Sequence, residues 1–226
     1  MFDCDGVLLD TEAAWTRAET TLFARYGKVY GPQEKRALIG GSLPETGRAL
    51  ERLLDGGRTS DQLLDELVEL TAAEFAMGVE PMLGAIELIA ELRDRRPIAV
   101  ASNSYRRLVD LALVGSGLAE AFGVVVAGDE VPNPKPSPDL YLEASRRLGV
   151  PPEMAVAVED TPTGAAAARA AGLFVIVIPY LPDMEVDADL VGRSLEDPAV
   201  RAALGLTPLE SGGGIGRRPP ALGALE

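Results

Sequence analysis

The 226-residue sequence contains no histidine. This excludes catalytic triads that use an imidazole base and zinc sites built on histidine. The single cysteine, Cys4, cannot form an internal disulfide, so we predict a cytoplasmic protein. The GxxxxGK[ST] loop and the GxGxxG fingerprint are also missing, which removes the usual signals for nucleotide binding. Chemistry based on carboxylates and other oxygen groups remains.

Positive charge is scarce, and the formal net charge is −14. This charge argues against a broad basic face for nucleic acid or anionic lipid, and we predict no nucleic-acid and no membrane partner. No charged and apolar leader opens the chain. Because the sequence shows no long apolar surface pattern, we expect a monomer or a weak homodimer.

Short apolar runs alternate with helical patterns along most of the chain. This alternation predicts an α/β fold in which a Rossmann-like parallel sheet is flanked by helices on both faces. The predicted strands span residues 98–101, 124–127, 154–158 and 174–178. The predicted helix faces comprise Leu83, Ile86, Ile89 and Leu92; Leu108, Leu111 and Ala112; and Leu140, Tyr141, Ala144 and Leu148.

Residues 12–80 interrupt this alternation. Their leucine stripes and glycine breaks, at 40–42 and 55–57, predict several successive helices. We interpret the segment as an all-helical cap inserted into a core made of residues 1–11 and 81–205. Residues 206–226 are rich in glycine and proline, and we predict that this tail is disordered.

Polar residues follow the predicted strands, where open parallel sheets form their sites. The candidates are Asp3 and Asp5 near the chain start, Ser102 and Asn103, Lys135, and Glu159 with Asp160. Phosphoryl transfer suits this set, because a carboxylate can attack phosphorus and form an aspartyl phosphate. Asp3 is the predicted nucleophile, and Asp5 the predicted general acid and base.

A metal ion and a phosphate fit the remaining candidates. Asp3, Asp160 and the backbone carbonyl of Asp5 can hold Mg²⁺, which prefers oxygen ligands, and Glu159 can complete the shell. We expect Lys135 to give a fixed positive charge. The Ser102 hydroxyl and the backbone amides that follow it, beginning with Asn103, can donate to phosphate oxygens.

Four stretches of the chain now form a recognisable set. DCDGVLLDT at residues 3–11, Ser102 after IAVA, KPSPDLYL with Lys135, and VEDTPTG with Asp160 resemble the four motifs of the haloacid dehalogenase-like superfamily. The similarity spans residues 1 to 180 and is greatest to the branch of β-phosphoglucomutase and the sugar-phosphate phosphatases. It implies the same residue roles and a Mg²⁺-dependent phosphatase with a cap that closes over a small phosphorylated metabolite.

Two positions depart from the mutase pattern, because Trp15 and Leu43 stand where that branch has a histidine and an arginine. We therefore favour a phosphatase over a phosphomutase. The third hypothesis is a non-catalytic protein that binds a phosphorylated ligand. A dehalogenase ranks lower, since that chemistry requires neither Asp5 nor a metal site.

Local signals predict the surroundings of the motifs. Ser104 is the predicted N-cap of a helix that ends at Gly115, and Thr161 caps a helix that begins at Pro162. Strand alternation turns Cys4 away from both acids and into the core. A central strand needs about four apolar residues before the nucleophile, so we expect the natural chain to begin a few residues upstream of Met1.

Overall fold

A computed structural model describes residues 1–38, 41–55, 57–179 and 184–206. Gly40, Gly56 and residues 207–226 of the predicted disordered tail lie outside the described residues. The predicted start of that tail was wrong at Leu206, which is buried in the core. The architecture is the predicted one: a parallel sheet flanked by helices, with a helical cap inserted after the first motif.

Within the described part of residues 12–80, four helices form the cap, and they have a hydrophobic core of their own. They are α1 (Glu12–Arg25), α2 (Pro32–Leu38), α3 (Leu43–Leu54) and α4 (Ser60–Ala76). The start of α4 is a capping box, in which Thr59 and Gln62 each accept a hydrogen bond from the other's backbone amide. The buried apolar residues of the cap include Leu22, Phe23, Leu50, Leu54, Leu63 and Leu67.

The core contains most of the strands and the remaining helices. The strands of the described residues are β1 (Leu9–Asp10), β2 (Glu80–Pro81), β3 (Ala99–Ser102), β4 (Val124–Ala127), β5 (Val156–Glu159), β6 (Phe174–Val177) and β7 (Leu190–Val191). The helices are α5 (Ala85–Arg93), α6 (Arg106–Gly115), α7 (Asp139–Leu148), α8 (Pro162–Ala170) and α9 (Pro198–Ala203). The four predicted apolar runs correspond to β3, β4, β5 and β6.

The first three residues hold the sheet together at its centre. Phe2 forms parallel bridges with Val100 of β3 and Val158 of β5. The resulting order is β4, β3, residues 1–3, β5, β6 and β7, all parallel. Asp3 therefore leaves the sheet beside the carboxyl ends of β3 and β5, where α/β folds place their sites.

Both faces of the sheet are covered, as predicted. Val100, Val158 and Ile176 share a core cluster with the buried residues of α5 and α6. Ala101, Ala157 and Val175 alternate with them and pack with α7 and α8.

The prediction of the apolar face of α5 was wrong in part. Leu83 is exposed, and Ile86 is partly so, while Leu88, Ile89 and Leu92 are buried. The helix begins only at Ala85, because Gly84 before it has a positive φ of 81°. Leu83 thus lies outside the helix, and the buried stripe runs through residues 85, 88, 89 and 92.

Helix α4 is buried on two sides. Leu63 and Leu67 belong to the core of the cap, whereas Leu64, Val68 and Phe75 belong to the same cluster as α5 and α6. Next to it, the antiparallel pair of β1 and β2 joins the two connections between cap and core, with Leu9 opposite Pro81. The sequence reading did not predict this strand pair.

Candidate active site

Asp3 stands at the centre of the site, on a backbone fixed by neighbouring strands. Its amide donates to the carbonyl of Val158 at 2.9 Å, and its side chain is buried. The chain then turns through Gly6, which has φ of 80°. A Cβ at Gly6 would lie only 2.2 Å from Oδ2 of Asp160, so a side chain here would collide with that carboxylate.

Three buried carboxylates meet around one ammonium group. Asp3, Glu159 and Asp160 each offer a carboxylate oxygen, and these atoms lie within 4.8 Å of one another. Lys135 Nζ donates to Asp3 Oδ1 at 2.5 Å and to Glu159 Oε1 at 2.5 Å. The Tyr141 hydroxyl also donates to Glu159 Oε1. The structure thus brings these four predicted site residues together.

This cluster carries an excess of negative charge in a dry environment. Burial raises the pKa of Asp3 to about 7, even though Lys135 opposes the shift. Burial also raises the pKa of Asp160, and the charges of Asp3 and Glu159 add to the rise. For Lys135, burial works against the cation, but Asp3 and Glu159 outweigh it and raise the pKa. A further cation beside Asp3 and Asp160 would relieve this excess.

The donor set fits a magnesium ion. All three side chains offer hard oxygen atoms, the ligand type that Mg²⁺ prefers. Among the described residues, Glu159 Oε2 is buried and has no hydrogen-bond partner, an arrangement that a cation would compensate. Gly164 lets the start of α8 approach this oxygen, because a Cβ there would lie 1.9 Å from it.

Asp5 has four hydrogen-bond donors of its own. Its Oδ1 accepts from Thr11 Oγ1 at 2.6 Å and from Trp15 Nε1 at 3.3 Å. Its Oδ2 accepts from Ser104 Oγ at 2.9 Å and from Ser102 Oγ at 3.2 Å. Oδ1 of Asp5 therefore faces the cap, since Trp15 comes from α1, whereas Oδ2 faces the serines that follow β3.

The N-cap prediction for Ser104 was wrong. The residue that precedes α6 is Tyr105, and the Ser104 hydroxyl instead donates to Asp5. Sequence position alone could not distinguish a capping serine from one that binds a carboxylate 99 residues away. The prediction for α8 was correct: Pro162 is its first residue, and Thr161 Oγ1 accepts from the amide of Gly164.

Asn103 connects two of the motifs. Its Oδ1 accepts from the backbone amide of Lys135 at 2.8 Å, and its Nδ2 donates to the Lys135 carbonyl at 3.2 Å. The amide side chain thus fixes the loop that carries Lys135. Because the side chain of Asn103 is bonded to Lys135, a phosphate contact by this residue would come from its backbone amide. That contact stays a prediction.

The acids open into a cavity of about 150 Å³ that the cap helps to enclose. Its cap wall includes Glu12, Trp15, Glu19, Tyr30, Lys35 and Thr46. Sequence reasoning missed Glu19, which is only 8% exposed and accepts a hydrogen bond from the Tyr30 hydroxyl. The sequence signal for its burial is its position directly after Ala18, in the buried stripe of α1.

Glu19 gives the stability of the protein a predictable dependence on pH. Burial raises its pKa from 4.5 to about 7; Tyr30 and Lys35 oppose the shift, and Glu12 adds to it. The folded state therefore retains a proton that the unfolded state has released, and this contribution to stability is lost as pH rises from 4.5 through 7. As pH rises through this range, the natural protein should lose about 3 kcal/mol of unfolding free energy relative to Glu19→Gln, which has no proton to release.

Urea denaturation of both proteins at pH 4.5 to 8 measures this change in the difference of unfolding free energies. Glu51→Gln, at an exposed position of α3, is the matched control and should show no such trend. A difference for Glu19→Gln that stays constant with pH would contradict the prediction.

Comparison with known proteins agrees with this geometry. A family sequence model described as "Haloacid dehalogenase-like hydrolase" matches residues 1–178. The fructose-1-phosphate phosphatase YqaB of Escherichia coli is 34% identical over 173 residues, which cover 76% of this chain and 92% of that protein. A phosphorylated carbohydrates phosphatase of Thermotoga maritima is 32% identical, over 76% of this chain and 81% of that protein.

Among solved structures, CbbY from Rhodobacter sphaeroides, crystallised with phosphate, has a TM-score of 0.78 and 34% identity. The match covers 85% of this chain and 92% of that one. Within the described residues, no helix combines the length and the apolar character needed to span a membrane.

Proposed function

Because the chain belongs to the haloacid dehalogenase-like hydrolases, we propose that it hydrolyses small sugar phosphates through an aspartyl phosphate on Asp3, with Mg²⁺ as cofactor. Its relatives make it a phosphoric monoester hydrolase that acts on phosphorylated metabolites. The observation that carries the finer proposal is the buried cluster of Asp3, Glu159 and Asp160 around Lys135, in one cavity with Asp5.

Two displacements at phosphorus make up the reaction. In the first, a carboxylate oxygen of Asp3 forms a bond to phosphorus while the ester P–O bond breaks, and Asp5 gives its proton to the departing alkoxide. In the second, water attacks the phosphorus of the aspartyl phosphate, the bond between phosphorus and the Asp3 oxygen breaks, and Asp5 takes up a proton from the water. Inorganic phosphate leaves, and both carboxyl groups return to their starting states.

The hydrogen bonds at Asp5 support this division of labour. Asp5 faces the cap, and so it faces the part of the cavity that the leaving group would fill. Asp3 is bound to Lys135 instead. This arrangement supports attack on phosphorus by Asp3 and proton transfer by Asp5.

The positive groups of the site would balance the charge of the phosphoryl group. Lys135 supplies an ammonium at Asp3 Oδ1, and the Ser102 hydroxyl lies at the end of the neighbouring strand. Asp3, Asp160, Glu159 and the Asp5 carbonyl would hold Mg²⁺, which when bound neutralises charge on the equatorial oxygens. We assign residues 12–80 as the cap that closes over the substrate, and we keep the cytoplasm as the proposed compartment.

A panel of phosphate esters, assayed with Mg²⁺ and with EDTA, tests the proposal. We expect phosphate release from sugar monophosphates and from p-nitrophenyl phosphate with Mg²⁺, and loss of release with EDTA. Unchanged release in EDTA would contradict the metal assignment. No release from any ester would contradict the phosphatase, and interconversion of sugar phosphates without net release would favour a phosphomutase.

Lys135 is expected to be essential for fast turnover. Lys135→Ala should lower kcat/KM by roughly 10²- to 10³-fold, because a fixed donor to the transferring group is lost from a dry site. Steady-state kinetics on a sugar monophosphate with Mg²⁺ measures the loss. Lys28→Ala is the control, since Lys28 pairs with Asp55 on the exposed surface of the cap and such pairs contribute little. A kcat/KM within threefold of the natural value would contradict the role of Lys135.

A further inference from the structure

We propose that Glu19, supported by Tyr30 and by the Glu12–Lys35 pair, selects a neutral polyhydroxylated leaving group and rejects substrates that carry a second anionic group. The inference rests on the proposed phosphatase function and names the substrate class of the same cavity. The inference does not depend on the four motifs, because Glu19, Tyr30, Glu12 and Lys35 all belong to the cap.

The position of Glu19 gives the first argument. Glu19 and Asp5 line the same cavity, with Trp15 of the same helix donating to Asp5. Because Asp5 protonates the leaving oxygen, the rest of the leaving group lies between Asp5 and the cap wall. Glu19 therefore lines the part of the cavity that the leaving group would occupy.

The chemistry of Glu19 gives the second argument. Its carboxyl group is buried in a cap that otherwise packs leucine and phenylalanine, which is costly unless the group has a partner or a task. Tyr30 donates to Oε2 and fixes the orientation of the carboxyl group. Above pH 7, an oriented carboxylate in this buried wall is a strong acceptor for substrate hydroxyls, and it discriminates against ligands that lack them.

The charge of the wall gives the third argument. Among the described residues that line the cavity, the basic side chains are Lys35 and Lys135. Lys35 Nζ lies 2.7 Å from Glu12 Oε1 and also donates to Thr16, while Lys135 is held by Asp3 and Glu159. A second phosphate or a carboxylate on the substrate would thus meet Glu12 and Glu19 with both lysines already paired.

Two substrate pairs test the two parts of the inference. Fructose 1-phosphate and fructose 1,6-bisphosphate differ in a second phosphate, which lies on the cap side whichever phosphate reacts. Sorbitol 6-phosphate and n-hexyl phosphate differ in their hydroxyl groups. Each test compares kcat/KM values on one enzyme preparation, so a loss of folded protein cancels from the ratio.

The assays are run at pH 8.5, where Glu19 is ionised although burial raises its pKa to about 7. For the natural enzyme we expect kcat/KM for fructose 1-phosphate to exceed kcat/KM for the bisphosphate at least tenfold. Glu19→Gln removes the charge and keeps the shape, and it should reduce that preference about tenfold. Glu19→Leu removes the acceptor, and it should reduce the preference for sorbitol phosphate over hexyl phosphate by 10- to 100-fold, the value of a hydrogen bond to a charged group. Glu51→Gln, outside the cavity, should leave both ratios unchanged.

Two outcomes overturn the inference: both ratios within twofold of the natural values in the Glu19 variants, or a natural enzyme that prefers the bisphosphate. Either result leaves the phosphatase proposal intact as long as p-nitrophenyl phosphate is hydrolysed. If the natural enzyme releases phosphate from no ester, including p-nitrophenyl phosphate, the proposed function fails instead.

Discussion

Asp3→Asn is expected to lower kcat by roughly 10⁴-fold or more on every phosphate ester, because loss of a covalent nucleophile removes the first chemical step. The amide of asparagine has nearly the shape of the carboxylate but cannot attack phosphorus. Steady-state kinetics with Mg²⁺ measures the loss. Rapid quenching followed by mass spectrometry should detect an aspartyl phosphate on the natural enzyme and none on the variant.

Unfolding cannot account for this expected loss. The pKa of Asp3 is raised to about 7, so above that pH the folded state holds a carboxylate that burial disfavours. A neutral side chain removes this cost, and the metal-free variant should melt at pH 8 at least as high as the natural protein. Asp10→Asn is the control, because Asp10 belongs to the same motif but is exposed. Turnover of Asp3→Asn within tenfold of the natural rate would disprove the nucleophile assignment.

Asp5→Asn is expected to produce a loss that depends on the leaving group. The kcat/KM on sugar phosphates should fall by roughly 10²- to 10⁴-fold, because an alkoxide needs a proton as it departs. On p-nitrophenyl phosphate it should fall less than about tenfold, since nitrophenolate leaves without one. The comparison uses kcat/KM because this parameter covers the steps up to formation of the aspartyl phosphate.

The second step gives an independent measurement for the same variant. Without Asp5 as base, water attacks the aspartyl phosphate slowly, so the variant should release a burst of one nitrophenolate per enzyme before its slow steady state. Equal losses of kcat/KM on sugar phosphates and p-nitrophenyl phosphate, with no burst, would show that Asp5 does not move the proton. Thr11 and Ser104, which donate to Asp5, would then be its partners in a merely structural network.

The sheet and the motif residues were predictable because their signals are local. Each of β3, β4, β5 and β6 is a short apolar run between turns, and parallel strands bring their carboxyl ends to one edge. That topology alone is enough to place Asp3 near Ser102 and Asp160. The division of roles between Asp3 and Asp5 followed from their chemistry, and it stays a prediction.

The parts that were missed depend on how the cap lies on the core. Trp15 donates to Asp5 because α1 crosses the first motif, and no spacing in the sequence encodes that crossing. Glu19 meets Tyr30 across the turn between α1 and α2, so its role requires tertiary structure. The misplaced stripe of α5 has a local cause, because the left-handed conformation of Gly84 delayed the helix start.

Helix α4 limits the modularity of this enzyme. Since Leu63 and Leu67 complete one hydrophobic core while Leu64, Val68 and Phe75 complete another, neither lobe has a full interior without this helix. A cap excised at the strand pair β1–β2 would expose three large apolar side chains, and the remaining core would lose the same three from its interior. A cap taken from a relative can replace the native one only if its last helix reproduces this second apolar stripe. The proposed role of Glu19 is therefore better tested by substitutions within α1 and in the turn that carries Tyr30 than by transfer of the whole lobe.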